Sequence, residues 1–261
     1  MIRIDLQMFG GRGATSSLGG RGGRGASNGG GGGSGGAVAK GSIKECKNFD
    51  ELTATLKAKY GDQFEIDDKL KDLKFEEVRG AIEGADFILS EFGANDKLTG
   101  FTIGNDGVMC ASFGGKIRFT EKYFTQGTED LSTVMNRNAG FHPKNQNAYS
   151  TGAHEAGHIL ESWIAKQQND NYWARIDAWD KNTVSTKIIN EASKSVKKQY
   201  RARGEKAPKI DELCYKVSRY ALKNRAEAFA ECIADYVANG KNANPLSIAV
   251  WNETKKVCGK N

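Results

Sequence analysis

Histidine is scarce in this chain, with three residues in 261, and none of its five cysteines belongs to a Cys-x-x-Cys pair. The odd number and wide spacing of Cys46, Cys110, Cys214, Cys232 and Cys258 exclude a disulfide framework and a cysteine-ligated zinc site. Reduced thiols fit production in a bacterial cytoplasm. There is no transmembrane run, which removes the membrane as a partner. A secretory h-region is missing as well, because Arg3 and Asp5 interrupt Ile2, Ile4, Leu6 and Met8. Residues 1 to 41 hold half of the 32 glycines and almost no large apolar groups beyond the first nine positions, so they cannot build a core. We read them as a disordered Gly/Arg-rich tail with a short docking segment at Met1 to Phe9, followed by a single domain over 42–261. The net charge of +6 is modest and spread along the chain. Arg12, Arg21 and Arg24 offer only weak, salt-sensitive phosphate contacts, which disfavours nucleic acid as a partner.

Against this background the placing of two histidines is informative. Thr151-Gly-Ala-His154-Glu155-Ala-Gly-His158-Ile-Leu is a His-Glu-x-x-His signature in a helix-compatible run. Residues four apart share a helix face, so His154 and His158 can present two imidazoles to one Zn²⁺ while Glu155 reaches its bound water as general base. A catalytic zinc takes three protein ligands, so a third donor must come from elsewhere. His142, in Gly-Phe-His-Pro, reads as a satisfied or exposed loop histidine. The run from Asn224 to Gly240 is the better source. Asn224 can cap a helix with Glu227 at the capping-box position, and Asn239-Gly240 stops it. Glu227, Glu231 and Asp235 then line one face, where a divalent cation would relieve their repulsion. Cys232, beside Glu231, reads as a small buried helix residue.

A zincin helix followed by a Glu-x-x-x-Glu helix resembles the gluzincins. Within them, Tyr220-Ala-Leu-Lys-Asn-Arg-Ala-Glu227-Ala-Phe-Ala-Glu231 looks like the active-site segment of the catalytic domain of the anthrax lethal factor type. The resemblance implies that Glu227 binds zinc with His154 and His158, that Glu231 supports a ligand histidine, and that Tyr220 stabilises the transition state. It covers only the two active-site segments. The opening residues, Met1-Ile-Arg-Ile-Asp-Leu-Gln-Met-Phe-Gly-Gly-Arg-Gly, look like the start of head-associated proteins of tailed bacteriophages. Asn138-Ala-Gly-Phe-His-Pro is similar to zincin-like domains among phage minor head proteins. These likenesses imply a phage-encoded zinc metallopeptidase of the virion head, present in the host cytoplasm during assembly or after delivery. Its partners would be a protein or peptide substrate and the head or portal proteins. The alternative is a minor head structural or docking protein that keeps a zinc-binding module without significant turnover.

The expected fold is α+β, mostly helical with a small antiparallel sheet. Phe49, Leu52 and Leu56 predict a helix from near Asn48, and Phe75, Val78, Ile82, Ala85, Leu89 and Phe92 a longer one ended by Gly93. Short β-rich runs at Leu98 to Ile103, Val108 to Phe113 and Lys116 to Phe119 predict the sheet. By analogy with zincins, substrate would extend along one of the last two strands. The charged interval 167–211, with Trp173, Trp179, Ile188, Ile189, Ala192 and Val196 at helical spacing, reads as a helical insertion.

Overall fold

Asn48 opens the first long helix because its side-chain oxygen accepts the Glu51 N–H (2.9 Å), which has no partner within the first turn. The computed structural model describes residues 42–104, 109–111, 113–137 and 140–260. The tail and docking segment expected over 1 to 41 lie outside these. Helix α1 (Phe49–Tyr60) buries Leu52 and Leu56. It leads into strand β1 (Glu65–Ile66) and then helix α2 (Phe75–Phe92), which carries the anticipated apolar stripe. Helix α2 stops where Gly93 turns left-handed at φ 73°, a conformation that costs glycine little.

Strands β2 (Gly100–Gly104), β3 (Cys110–Ala111) and β4 (Lys116–Thr120) join β1 in one sheet of order β1-β2-β4-β3. The expectation of an antiparallel sheet needs correction. Strands β1 and β2 are parallel, β2 and β4 are parallel, and only β3 runs antiparallel to β4. The reason lies in which edge each strand takes. A turn at Gly114-Gly115, with Gly115 at φ 89°, folds β3 and β4 together and fills one edge of β4. Strand β2 therefore pairs along the other edge, from Gly100 opposite Lys116 to Gly104 opposite Thr120. Strand β4 is hydrogen-bonded on both sides, so of the two strands proposed to receive substrate only β3 lies at an edge.

The rest is helical: α3 (Glu121–Phe124), α4 (Leu131–Arg137), α5 (Ala148–Gln168), α6 (Tyr172–Asp180), α7 (Thr183–Ala202), α8 (Ile210–Val217), α9 (Arg225–Asn239) and α10 (Pro245–Val257). Helix α7 packs its buried Val184, Ile188, Ile189, Ala192 and Val196 toward α9 and α10. Among the described residues no helix is long and apolar enough to cross a membrane. All five cysteines lie among the described residues and none forms a disulfide.

Helix α5 is buried along most of its length, packed on α2 and on α9. It can be, because its neighbours meet it where side chains are missing. A Cβ on Gly152 would stand 1.7 Å from the Ala81 carbonyl oxygen, and one on Gly84 would stand 1.8 Å from that of Tyr149. Mid-helix Gly→Ala is ordinarily stabilising by about 0.5–1 kcal/mol. Here the clash with backbone reverses the sign. Gly84→Ala and Gly152→Ala should each lower stability by about 1–3 kcal/mol or more in thermal or denaturant unfolding. Gly80→Ala, whose nearest neighbour would be the Ala148 Cβ at 3.3 Å, should be far milder. A Gly152→Ala protein as stable as the parent would show that α2 and α5 can part without cost.

Candidate metal centre

The site begins at the N-terminus of α5, where Asn147 and Ser150 cap the helix reciprocally. The Asn147 side chain accepts from the Ser150 N–H (3.0 Å), and the Ser150 hydroxyl accepts from the Asn147 N–H (2.9 Å). His154 and His158 follow on one face, their rings 5.1 Å apart and fully buried. Helix α9 approaches that face through a second gap between side chains. The position of a Cβ on Gly157 lies 3.3 Å from the Ala230 Cα, so the two backbones can come close. Asn224 caps α9 by accepting from the Glu227 N–H (2.9 Å). The Glu227 side chain turns toward the histidines.

His154 Nε2 and His158 Nε2 each stand 3.4 Å from Glu227 Oε2. The three donor atoms all lie within 4.8 Å of one another. Bonds of 2.0–2.2 Å in a tetrahedral shell require donors roughly 3.3–3.6 Å apart, so both His–Glu distances fit a single small ion. The donor set also suits a metal chemically, with two imidazoles and a carboxylate oxygen buried away from water. Together His154, His158 and Glu227 form a buried cluster consistent with a His-Glu-x-x-His-plus-Glu site of zincin type.

The remaining predicted residues surround this cluster. Glu231, one turn beyond Glu227, places Oε1 3.1 Å from His154 Nδ1 and 3.1 Å from His142 Nδ1. Glu155 is fully buried and faces the backbone of Ala111 on β3. Tyr220 opens a short 3-10 turn before α9, its ring 6.3 Å from that of His154. Asp235, the third carboxylate of the acidic face, serves elsewhere. It accepts from Asn239 Nδ2 and from the Asn244 N–H, both at 2.8 Å, and so ties α9 to the start of α10. Cys232 is buried on α9 beside Ser247 of α10.

Two participants escaped the sequence reading. His142 is buried with its Nδ1 bonded to Glu231, and the contact places it directly behind the site. Lys223 donates to the Tyr220 hydroxyl oxygen at 3.0 Å and stands 3.5 Å from Glu227 Oε1. Its i,i+4 spacing from Glu227 was a usable signal for the latter contact.

Electrostatics follow from burial set against neighbours. Burial alone would lower the His154 pKa, but contacts with Glu227 and Glu231 outweigh it and raise the imidazole to about 10. Burial would raise Glu227 and Glu231, yet the histidines around them hold Glu227 well below the usual range and Glu231 at about 2. Glu155 goes the other way. Burial, with Glu227 nearby, lifts it to about 8 despite His154 and Lys223. Tyr220 is pushed far up by burial and by the carboxylates of Glu227, Glu155 and Glu231.

A ligand imidazole must be neutral, so metal has to displace the His154 proton. Calorimetric titration with Zn²⁺ at pH 7, in buffers of differing ionisation enthalpy, should report about one proton released from His154 per ion, with a further contribution from Glu155. Apparent affinity should rise with pH up to about 10, where His154 is already deprotonated. Heats that do not depend on the buffer would contradict this. In metal-free protein the sign is opposite at the two extremes. The raised His154 contributes stability below about 6.5 that is lost as pH climbs through about 10, and the lowered Glu231 contributes stability above about 4.5 that is lost as pH falls through about 2.

No protein-family model matches the chain, and no curated protein or solved structure is detectably similar to it.

Proposed function

We propose that this chain is a zinc-dependent peptidase of the gluzincin type. The observation that carries the reading is the 3.4 Å spacing of Glu227 Oε2 from two imidazole nitrogens, with the buried Glu155 next in sequence to one of those histidines. Two imidazoles and one carboxylate leave a fourth position for water, as a hydrolytic zinc site requires. When bound, zinc lowers the pKa of a coordinated water to about 7 and polarises the substrate carbonyl.

The protein's own groups supply the rest. Glu155, buried beside the cluster and next in sequence to His154, is placed to take a proton from the attacking water and return it to the leaving amine. Lys223 donates to the oxygen of Tyr220, so the tyrosine's own proton points away from the lysine, toward Glu227. From there the phenol can donate to the oxygen on which negative charge grows. Strand β3 is the sheet edge beside α5, where an extended peptide could add by main-chain hydrogen bonds. The substrate class is therefore a peptide in extended form. The virion-head setting, with head or portal proteins as partners, belongs to this reading on the strength of residues 1 to 13 and 138 to 143; detecting the chain in purified virions tests it.

Glu155→Gln should bind zinc normally and lose peptidase activity on an unstructured protein substrate, because an amide keeps the shape but cannot accept the proton. Tyr220→Phe should leave zinc affinity unchanged and cut turnover by about 100-fold, the usual effect of losing one transition-state donor. Lys223→Met should slow the parent enzyme but add little to Tyr220→Phe, because it acts through the tyrosine. Full activity in Glu155→Gln would remove the peptidase mechanism. Additive losses for the Tyr220 and Lys223 changes would separate the two residues.

A further inference from the structure

His142 belongs to no metal cluster among the described residues, yet it is as deeply buried as the ligands. Its Nδ1 meets the same oxygen, Glu231 Oε1, that His154 Nδ1 meets, and both distances are 3.1 Å. An ionised carboxylate only accepts hydrogen bonds, so this shared oxygen favours a proton on Nδ1 of both rings. For His154 the consequence is specific: when the ring is neutral, as a ligand imidazole must be, its proton stays on Nδ1 and the Nε2 lone pair lies on the side of Glu227. The loop bearing His142 is clamped to the turn bearing Tyr220. Arg219 N–H donates to the Gly140 carbonyl (2.8 Å) and Tyr220 N–H to that of Phe141 (3.0 Å), while the His142 and Tyr220 rings lie 5.3 Å apart.

We propose that His142 is a positioning residue for the metal site: it anchors the Glu231 carboxylate so that Glu231 fixes the tautomer and ring orientation of the ligand His154. The inference rests on the metal-site reading above. A carboxylate with two imidazole donors on one oxygen has little freedom to rotate. With one donor removed, Glu231 can swing, and His154 loses its fixed direction. Partners of this kind, standing behind a ligand, typically change metal affinity by about 10–100-fold when removed.

The test uses the full chain, with Zn²⁺ affinity measured by competition against a chromophoric chelator and Co²⁺ absorption as a probe of ligand geometry. His142→Ala should lose at least about tenfold in Zn²⁺ affinity and alter the Co²⁺ spectrum. His142→Asn should restore most of the affinity, because its amide nitrogen can occupy the place of Nδ1. His142→Leu, which fills the space better, should not. In a Glu231→Gln background His142→Ala should add little further loss. Thermal unfolding identifies any variant that merely fails to fold, in which case the Asn and Leu pair decides. Equal rescue by Asn and Leu, undiminished affinity in a folded His142→Ala protein, or a full additional loss in the Glu231→Gln background would each overturn the proposal. A parent chain that binds neither Zn²⁺ nor Co²⁺ would overturn the metal-site reading itself.

Discussion

The close approach of two helix backbones at Gly157 and Ala230 is the constraint on which the site depends. His154 and His158 lie on one helix and Glu227 and Glu231 on the other, and the close backbone approach lets their side chains meet. Gly157 on α5, set against Ala230 on α9, keeps the gap narrow. On the far side α5 is pressed against α2 by the missing side chains of Gly84 and Gly152. The helix that carries the two histidines is thus held from two directions by backbone contact. That contact is more rigid than interdigitated side chains, and rigidity of the support is what a site accurate to fractions of an ångström requires.

A large charge load is concentrated in this space. Glu155, Glu227 and Glu231 are buried beside His142, His154 and His158, with the half-exposed Lys223 at the margin. Burying charges costs several kcal/mol per ion unless they are paired, and an all-apolar replacement is often as stable or more so. Their presence therefore argues for chemistry over stability. The shifts also separate the three carboxylates by environment. Glu227 and Glu231, each between imidazoles, stay ionised, while Glu155 is held near neutrality where it can exchange a proton. One cluster thereby contains both permanent anions and a proton carrier.

Much of this was legible in the sequence wherever the signal was local. His154, Glu155 and His158 stand out because a metal face repeats every four residues, and α2 because its apolar stripe is long and regular. Asn224 was readable as a cap and a helix start was readable near Asn48, since such signals are decided within a few residues. The sheet was less so: alternation marks strands but does not say which edge of β4 receives β2. With only two residues, β1 carries no pattern at all. His142 was invisible as a participant because its partner lies far along the chain at Glu231, and nothing in a lone loop histidine points to that distance. Lys223 had a signal in its spacing from Glu227, but its bond to Tyr220 depends on the irregular turn between them.

The order in which the chain is made bears on when the site can exist. His154 and His158 emerge from the ribosome well before Glu227 and Glu231, with the whole of α6, α7 and α8 between. A chain interrupted anywhere in that interval carries the imidazole pair and the general base but neither carboxylate of α9. Helix α9 in turn packs against α10, which is made later still. Completion of the donor set consequently depends on contacts distant in sequence, of the kind that chain topology makes slow to form. A product interrupted before α9 would be unable to bring the two imidazoles and the carboxylate together, so the position of α9 sets the earliest point in synthesis at which the cluster can form.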